Sequence, residues 1–259
     1  MPLKRNTRTM KYAIISDIHA NLEALQAVVE DAESHADSFI CLGDIVGYNA
    51  NPIECIQIIQ ALCQVTVIGN HDLAAVGMRP YDDFNPYAQI AIDWTKEQLS
   101  PDDIAYLEAL PMCAPFGFGQ HYLAAHGSPR HTDEYLFHPQ RIQANFMYMQ
   151  QFEPSVHCCF VGHTHVPMVW ECTSDGVVLM VEKIHTDTVA LDATSAYIVN
   201  PGSVGQPRNG DPASSYVILD DVAQTITYRV VPYDILAAQD KIYDAMLPMP
   251  LAERLEIGR

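Results

Sequence analysis

The chain has 259 residues, 49% of them hydrophobic, and its 32 acidic against 14 basic side chains give a formal net charge of −18. A charge of this sign opposes binding to polymeric nucleic acid, because that binding depends on neutralising phosphates with Lys and Arg. No run of 18 apolar residues occurs, which predicts that the chain does not span a membrane. The apolar stretch near the start is too short for a signal peptide, so the expected location is cytoplasmic.

The length is compatible with one large α/β domain. We expect residues 1–9 to be a disordered extension, because a strand pattern begins just after Met10, and residues 10–259 to form a single domain. The seven cysteines are odd in number and show no CxxC spacing, which favours reduced core thiols over a disulfide or zinc framework. The sequence does not indicate an oligomeric state.

The first part of the chain alternates strand and helix patterns. Short apolar runs predict strands at residues 12–15, 38–42 and 65–68, and helical spacing of apolar residues follows the first two. Polar residues come directly after each strand: Asp17 and His19, then Asp44, then Asn70, His71 and Asp72. In open α/β sheets ligands bind beyond the carboxyl ends of the strands, so we expect these side chains at one edge. Asp17 and His19 alone also fit ordinary turn residues, with Asn21 capping the next helix.

The middle of the chain repeats this arrangement. Residues 77–85 form a loop rich in Pro, Asp and aromatic residues that can act as a lid, and helices are predicted at 86–99, 101–110 and 139–152. A hairpin at 112–116 and 121–125 leads to His126, and a strand at 156–161 ends before His163 and His165. These two histidines repeat the i, i+2 spacing of Asp17 and His19, which points both side chains the same way in extended chain.

The last third of the chain is mostly β. Strands are predicted at 167–172, 176–181, 196–199, 215–219 and 225–231, followed by a helix near 235–245 and a Pro-interrupted tail. A glycine-rich segment at 200–205 follows one of these strands.

Seven of the strand-end residues are of types that bind metals: Asp17, His19, Asp44, Asn70, His126, His163 and His165. Carboxylate, amide and imidazole without thiolate suit Mn, Fe, Co, Ni or Zn. Seven ligands exceed the number that one ion normally takes. They fit two divalent ions that share a bridging carboxylate, which is the usual device for in-line displacement at phosphorus.

Five segments of this sequence resemble the ordered motifs of the calcineurin-like metallophosphoesterases. They are Asp17-Ile18-His19, Gly43-Asp44-Ile45-Val46-Gly47, Gly69-Asn70-His71-Asp72, His126-Gly127 and Gly162-His163-Thr164-His165. The resemblance covers about residues 12 to 205. It implies an α/β (α+β) fold, a four-layer α/β/β/α sandwich of two mixed β-sheets flanked by helices.

The resemblance also implies a role for each matching residue. It assigns the first metal to Asp17, His19, Asp44 and His165, and the second to Asp44, Asn70, His126 and His163. It makes His71 the general acid that protonates the leaving oxygen, with Asp72 orienting its imidazole, and hydroxide bridging the metals the nucleophile that attacks phosphorus.

The sequence defines the substrate less well than the reaction. Arg130 and Arg208 follow loops near the expected site and are candidates for holding a second phosphate, although surface positions explain them equally. Tyr48 and Asn49 are candidates for lining the substrate pocket, against simple loop packing.

The chain resembles most the small bacterial and archaeal branch that includes phosphodiesterases and diadenosine polyphosphate hydrolases. We therefore expect a small phosphorylated substrate of nucleotide type. A phosphoprotein phosphatase or general phosphodiesterase is the alternative activity. A non-catalytic scaffold with this fold and a dinuclear redox enzyme are alternatives from other classes.

Overall fold

The computed structural model describes residues 10–117, 119, 121–181 and 187–259. The extension expected at residues 1–9 lies outside these ranges. No helix within them is both long enough and apolar enough to cross a membrane.

The described residues form strands and helices with the following bounds. The strands are β1 (Lys11–Ile15), β2 (Ser38–Cys41), β3 (Cys63–Thr66), β4 (Cys113–Phe116), β5 (Tyr122–Ala125), β6 (Cys158–Phe160), β7 (Met168–Cys172), β8 (Val178–Val181), β9 (Thr188–Ala190), β10 (Ala196–Asn200), β11 (Ser214–Asp220) and β12 (Thr225–Val231). The helices are α1 (Leu22–Ala32), α2 (Pro52–Leu62), α3 (Asn70–Ala75), α4 (Pro86–Gln98), α5 (Pro101–Glu108), α6 (Pro139–Phe152), α7 (Ile235–Asp244) and α8 (Met249–Glu253), followed by a 3-10 helix at Arg254–Ile257.

The strands build two mixed six-stranded sheets. The first has the order β3-β2-β1-β11-β12-β9 and the second β4-β5-β6-β10-β7-β8. β1 pairs parallel with β2 and antiparallel with β11. β6 pairs parallel with both β5 and β10. The parallel strands at the centre of each sheet end at the same edge of the molecule.

Successive side chains of the central strands point alternately to the space between the two sheets and to the helices outside them. Ile14 and Ile40 of the first sheet pack with Phe160 and Val199 of the second in one buried cluster. The neighbouring positions point the other way, because successive strand residues face opposite sides of a sheet. Ile15 accordingly packs in the cluster formed with α1 and α2, and a further cluster joins the second sheet to α6. The result is the predicted sandwich of helices, two sheets and helices.

Four elements were not predicted from the sequence. Residues 70–75 form a short helix, α3, where only polar loop residues were expected, and β9 was not predicted. The sequence predicted only a Pro-interrupted tail after the last helix, and this tail contains α8 and the 3-10 helix. Pro248 and Pro250 lie at the N-terminal end of α8, where a missing N–H breaks no helical hydrogen bond.

Candidate metal centre

The seven metal-binding side chains predicted from the sequence lie together where the central strands end. Asp17 and His19 follow β1, Asp44 follows β2, Asn70 begins α3, His126 follows β5, and His163 and His165 follow β6. All seven are at most 5% exposed. Both sheets therefore supply ligand-type groups to one buried point.

One group of side chains consists of Asp17, His19 and His165. A ligand atom from each lies within 4.8 Å of the others. His165 Nε2 is 3.3 Å from Asp17 Oδ1 and 3.2 Å from His19 Nε2. These three residues converge on one small space.

A second group consists of Asp44, His126 and His163, with ligand atoms also within 4.8 Å of one another. His126 Nε2 is 3.3 Å from Asp44 Oδ2 and 3.0 Å from Asn70 Oδ1. The same Asp44 oxygen is 3.5 Å from His19 Nε2. Asp44 thus lies between the two groups, in the position that a shared carboxylate requires.

Main-chain carbonyl groups orient three of the imidazoles. The Nδ1 atoms of His19, His126 and His165 lie 3.1, 2.8 and 2.6 Å from carbonyl oxygens of residues 46, 42 and 206. A carbonyl oxygen only accepts, so each Nδ1 carries the proton and donates it. Burial holds the pKa of His19 and of His165 low, so Nε2 of these two neutral rings keeps its lone pair toward the cluster, the state in which histidine binds metals. Burial opposes charge on His126 as well, but the neighbouring Asp44 and Asp17 outweigh it and raise the pKa of His126 to about 10.

The residues present fit metal ions. Burial holds the pKa of His19 and of His165 well below the usual range, so the two Nε2 lone pairs face each other at 3.2 Å. Two lone pairs at that distance repel, and a cation between them removes the repulsion. The buried Nε2 of His163 also has no hydrogen-bonding partner among the described residues.

The acidic groups lead to the same conclusion. Burial raises the pKa of Asp17 to about 7, because a carboxylate loses its hydration there. Burial acts on Asp44 in the same direction, but the neighbouring His126, His71 and His19 hold its pKa well below the usual range. A buried carboxylate pair of this kind requires nearby positive charge.

Five of the seven side chains are attached to left-handed backbone. The φ angles of Asp17, His19, Asp44, His163 and His165 lie between 47° and 64°. This conformation costs an L-residue about 1–2 kcal/mol. It is found at functional sites when the surrounding structure holds it in place.

His71 lies beside the cluster. Its main-chain N–H donates to Asp44 Oδ1 at 2.8 Å, and its ring lies between Tyr48 and Phe84, with centroids 4.5 and 4.6 Å away. Nδ1 faces Gly47, where an added Cβ would come within 2.6 Å of it. The other ring nitrogen, Nε2, is the one that remains available to the cavity. His71 also lies close enough to His19 and Asp44 to offer a ligand atom with them.

Asp72 makes contacts other than those expected. Its Oδ1 accepts hydrogen bonds from the main-chain N–H groups of Ile45 and Val46, and its Oδ2 accepts one from Gly69. It therefore fixes the loop that carries Asp44, and no hydrogen bond joins it to the His71 imidazole within the described chain.

A cavity of about 210 Å³ opens onto the cluster. His71, Asp44, Tyr48 and Arg208 line it. Tyr48 and Arg208 are two of the four residues that the sequence suggested for substrate binding. The loop at residues 77–85 contributes Arg79 and Phe84. The composition of this loop indicated a lid, but not which side chains enter the cavity.

Arg79 joins this loop to Asp133, which also lines the cavity. Its Nε donates to Asp133 Oδ2 at 3.0 Å, and its Nη2 donates to Asp83 Oδ2 at 2.8 Å. Tyr135, near Asp133, packs over His163 with ring centroids 4.1 Å apart. Sequence analysis missed Arg79 and Tyr135, because they come from loops more than 50 residues apart that meet only in the folded chain.

Comparison with known proteins identifies the family. The model of the calcineurin-like phosphoesterase superfamily domain matches residues 10–223 of this chain. The chain belongs to the calcineurin-like phosphoesterases. An uncharacterized protein of Methanocaldococcus jannaschii is 41% identical to this phosphoesterase over 251 residues, which are 95% of this chain and 98% of that protein.

Solved structures agree with this assignment. A metallophosphoesterase from Sphaerobacter thermophilus is 39% identical and superposes with a TM-score of 0.83, covering 97% of this chain and 100% of that one. A hypothetical protein from Pyrococcus horikoshii shares the fold, with a TM-score of 0.75 at 18% identity over 96% of this chain and 98% of that one.

Two residues that the sequence suggested for substrate binding lie elsewhere in the phosphoesterase. Asn49 is buried and its Nδ2 donates to the carbonyl oxygen of His19 at 2.7 Å, so it supports the loop after β1. Arg130 lies in a different surface depression, 3.7 Å from Glu134. Neither is among the described residues that line the cavity.

Proposed function

We propose that this phosphoesterase hydrolyses a phosphoester or phosphoanhydride bond in a small nucleotide-type substrate and uses two divalent metal ions. The observation that carries the proposal is the position of Asp44, which lies between two His/Asp groups that adjoin one cavity with His71 in its wall. This arrangement supports a catalytic role over a non-catalytic scaffold.

The chemistry of the side chains supports two metal positions. Asp17, His19, Asp44 and His165 would hold one ion, and Asp44, Asn70, His126 and His163 the other. Ions bound there would lower the pKa of water and neutralise phosphoryl oxygens.

His71 is the proposed proton donor to the leaving oxygen. General acid catalysis of this type contributes roughly a hundred- to ten-thousand-fold. Burial lowers the pKa of His71 to about 4, so the ring is neutral before substrate arrives. The negative charge of a bound phosphate raises that pKa again and favours the protonated ring.

We propose direct attack by water, with inversion at phosphorus. No cysteine or serine lines the described part of the cavity, so no side chain is positioned to form a phosphoenzyme. The leaving oxygen departs opposite to the attacking water and takes its proton from His71.

The cavity supports a small substrate. At about 210 Å³ it lies below the usual range for drug-sized ligands, roughly 300–1,000 Å³, so it encloses phosphoryl groups and leaves the rest of the substrate at its mouth. The loops joined through Arg79 and Asp133 narrow the approach, which favours a nucleotide over a phosphorylated protein surface. The described cysteines are free thiols, which supports our proposal of a cytoplasmic location.

The proposal is tested with bis(p-nitrophenyl) phosphate in added Mn²⁺. We expect turnover by the wild type and a loss of roughly a hundred- to ten-thousand-fold in His71→Ala, with unchanged metal content by elemental analysis. His35, an exposed histidine, provides the matched control His35→Ala, which should retain full activity. Full activity in His71→Ala would refute the proton-donor role, and absence of bound metal under all loading conditions would refute the whole proposal.

A panel of nucleoside mono-, di- and triphosphates and dinucleoside polyphosphates, with product identification, distinguishes a nucleotide hydrolase from a general phosphodiesterase. Hydrolysis of simple diesters only, with no nucleotide preferred, would support the general phosphodiesterase.

A further inference from the structure

No hydrogen bond fixes the rotation of the His71 imidazole within the described residues. Its Nδ1 is buried without a partner, and the Asp72 carboxylate that the family resemblance suggested for this task accepts three main-chain N–H groups instead. The main-chain N–H of His71 donates to Asp44 Oδ1 at 2.8 Å, but this bond holds the backbone and not the ring. The ring must therefore be oriented by packing.

Three aromatic rings pack against this imidazole. The Tyr48 and Phe84 centroids lie 4.5 and 4.6 Å from it, with planes tilted by 41° and 33°, and the His19 ring meets it nearly edge-on, at 4.8 Å and 78°. Tyr48 and Phe84 make no ring contact with each other in the described chain, so they reach His71 from different directions. On the Nδ1 side, an added Cβ at Gly47 would come within 2.6 Å of the ring. The imidazole cannot turn without displacing one of these neighbours.

Phe84 differs from the other two rings in its origin. His19 and Tyr48 belong to the loops after β1 and β2, which also carry proposed metal ligands. Phe84 belongs to the loop at residues 77–85 and is held by the start of α4, because its carbonyl oxygen accepts a hydrogen bond from Gln89 Nε2 at 2.7 Å. One wall around His71 therefore comes from a segment outside the metal cluster.

Arg79 holds the Phe84 ring in place. Its guanidinium carbon lies 4.7 Å from the Phe84 centroid, within the range of a cation–π contact, about 6 Å. Nε donates to Asp133 Oδ2 at 3.0 Å, Nη1 to the carbonyl oxygen of Pro80 at 3.0 Å, and Nη2 to Asp83 Oδ2 at 2.8 Å. Each guanidinium nitrogen has an acceptor, so the group that packs on Phe84 is itself fixed.

We propose that Phe84 is a positioning residue for His71, and that its ring sets the direction in which the imidazole presents Nε2 to the leaving oxygen. This inference rests on the proposed function, because it concerns the proton donor proposed there. A general acid must lie within hydrogen-bond reach of the oxygen that it protonates, and a misplacement of about 1 Å costs on the order of a hundred-fold in rate. In this chain an aromatic contact does the work expected of a hydrogen bond from Asp72.

Replacing the Phe84 ring by an aliphatic side chain tests the inference. With bis(p-nitrophenyl) phosphate in added Mn²⁺, we expect Phe84→Leu to lower kcat by roughly 10-fold, between the value of one aromatic pair and the cost of a 1 Å misplacement. Bound metal should be unchanged by elemental analysis. Phe84→Tyr retains the ring and should keep most of kcat. Tyr87→Leu removes an exposed aromatic residue of α4 and is the matched control, with full kcat expected.

The same substitution in a His71→Ala background separates positioning from a general role in the cavity wall. If Phe84 acts through His71, then Phe84→Leu should cause no further loss once the imidazole is gone. A second diester adds an independent readout. The loss in Phe84→Leu should be larger for diphenyl phosphate than for the p-nitrophenyl diester, because the more basic phenoxide depends more on protonation as it leaves.

Three results would overturn the inference. They are an unchanged kcat in folded Phe84→Leu protein, the same fold-loss in the wild-type and His71→Ala backgrounds, and equal losses for the two diesters. Thermal unfolding reports whether each variant is folded, and Phe84→Met, which preserves side-chain volume more closely, replaces Phe84→Leu if that protein is not. Failure of the proposed function gives a different result, since His71→Ala alone would then retain full activity.

Discussion

Replacing Gly69 by alanine should disable the site without replacing any of the proposed metal ligands. Gly69 has extended backbone, with φ −96°, so alanine is not excluded by its conformation. A Cβ at this position, however, would lie 2.1 Å from Asp44 Oδ1 and 2.3 Å from the Asp44 main-chain nitrogen. Real Cβ contacts are essentially never below 3.0 Å, so the loop carrying Asp44 must move.

The required movement determines the size of the effect. Opening the 2.1 Å contact to an acceptable distance displaces the Asp44 carboxylate by about 1 Å, and a misplacement of that size typically costs on the order of a hundred-fold in rate. Asp44 Oδ1 also accepts the hydrogen bond from the His71 main chain, so His71 moves with it. We expect kcat/KM for the diester to fall by about a hundred-fold and the bound metal to decrease.

A second glycine provides the control. Gly176, between β7 and β8, has φ +82° and nothing within 4 Å of an added Cβ. Gly176→Ala should therefore cost about 1–2 kcal/mol of backbone strain far from the site and leave kcat/KM unchanged. If Gly69→Ala retained full kcat/KM and metal content, or if Gly176→Ala lost as much activity, the steric argument would be wrong.

Three further measurements test other parts of the structure. Asp31→Asn should lower the free energy of unfolding by about 1–3 kcal/mol at pH 7, because Asp31 accepts two hydrogen bonds from Arg229, of 2.6 and 2.7 Å. Arg229 lowers the pKa of Asp31, so this stabilisation is present above the unfolded pKa of about 4 and is lost as the pH falls through the lower pKa of the folded protein. If urea unfolding gave the same difference in free energy between the wild type and Asp31→Asn at pH 2 as at pH 7, the reasoning would be contradicted. Arg79→Ala should increase hydrogen exchange in residues 77–85, as should Asp133→Asn, and unchanged exchange would show that this ion pair does not hold the loop. Chelation should lower the Tm, and Mn²⁺ at a hundred times its Kd should restore about 2.7 kcal/mol for each bound ion; an unchanged Tm would contradict metal binding to the folded state.

Much of the architecture was predictable because it depends on local pattern. Apolar runs and helical spacing located the central strands and most helices, and the rule that parallel strands end at a common edge placed Asp17, Asp44 and His163 together. The family assignment from the sequence is confirmed by the matching family model and by the structure of the Sphaerobacter relative.

Contacts between distant segments were not predictable in this way. The Arg79–Asp133 pair joins residues 54 positions apart, and Arg254 reaches Tyr48 from the C-terminal segment. Neither contact has a periodic signal in the sequence. The contacts of Asp72 differ from the expectation because its carboxylate is saturated by three main-chain N–H groups.

The left-handed backbone at five of the proposed metal-ligand positions has a consequence for protein engineering. Consensus and stability-guided redesign favour glycine or asparagine wherever φ is positive, because those residues relieve the strain. Applied to this chain without restriction, such a procedure would also replace His163 and His165, and we expect the resulting protein to be more heat-resistant but inactive. Thermostable variants should therefore be sought with these positions held constant, and we expect a variant that gains stability through them to lose activity.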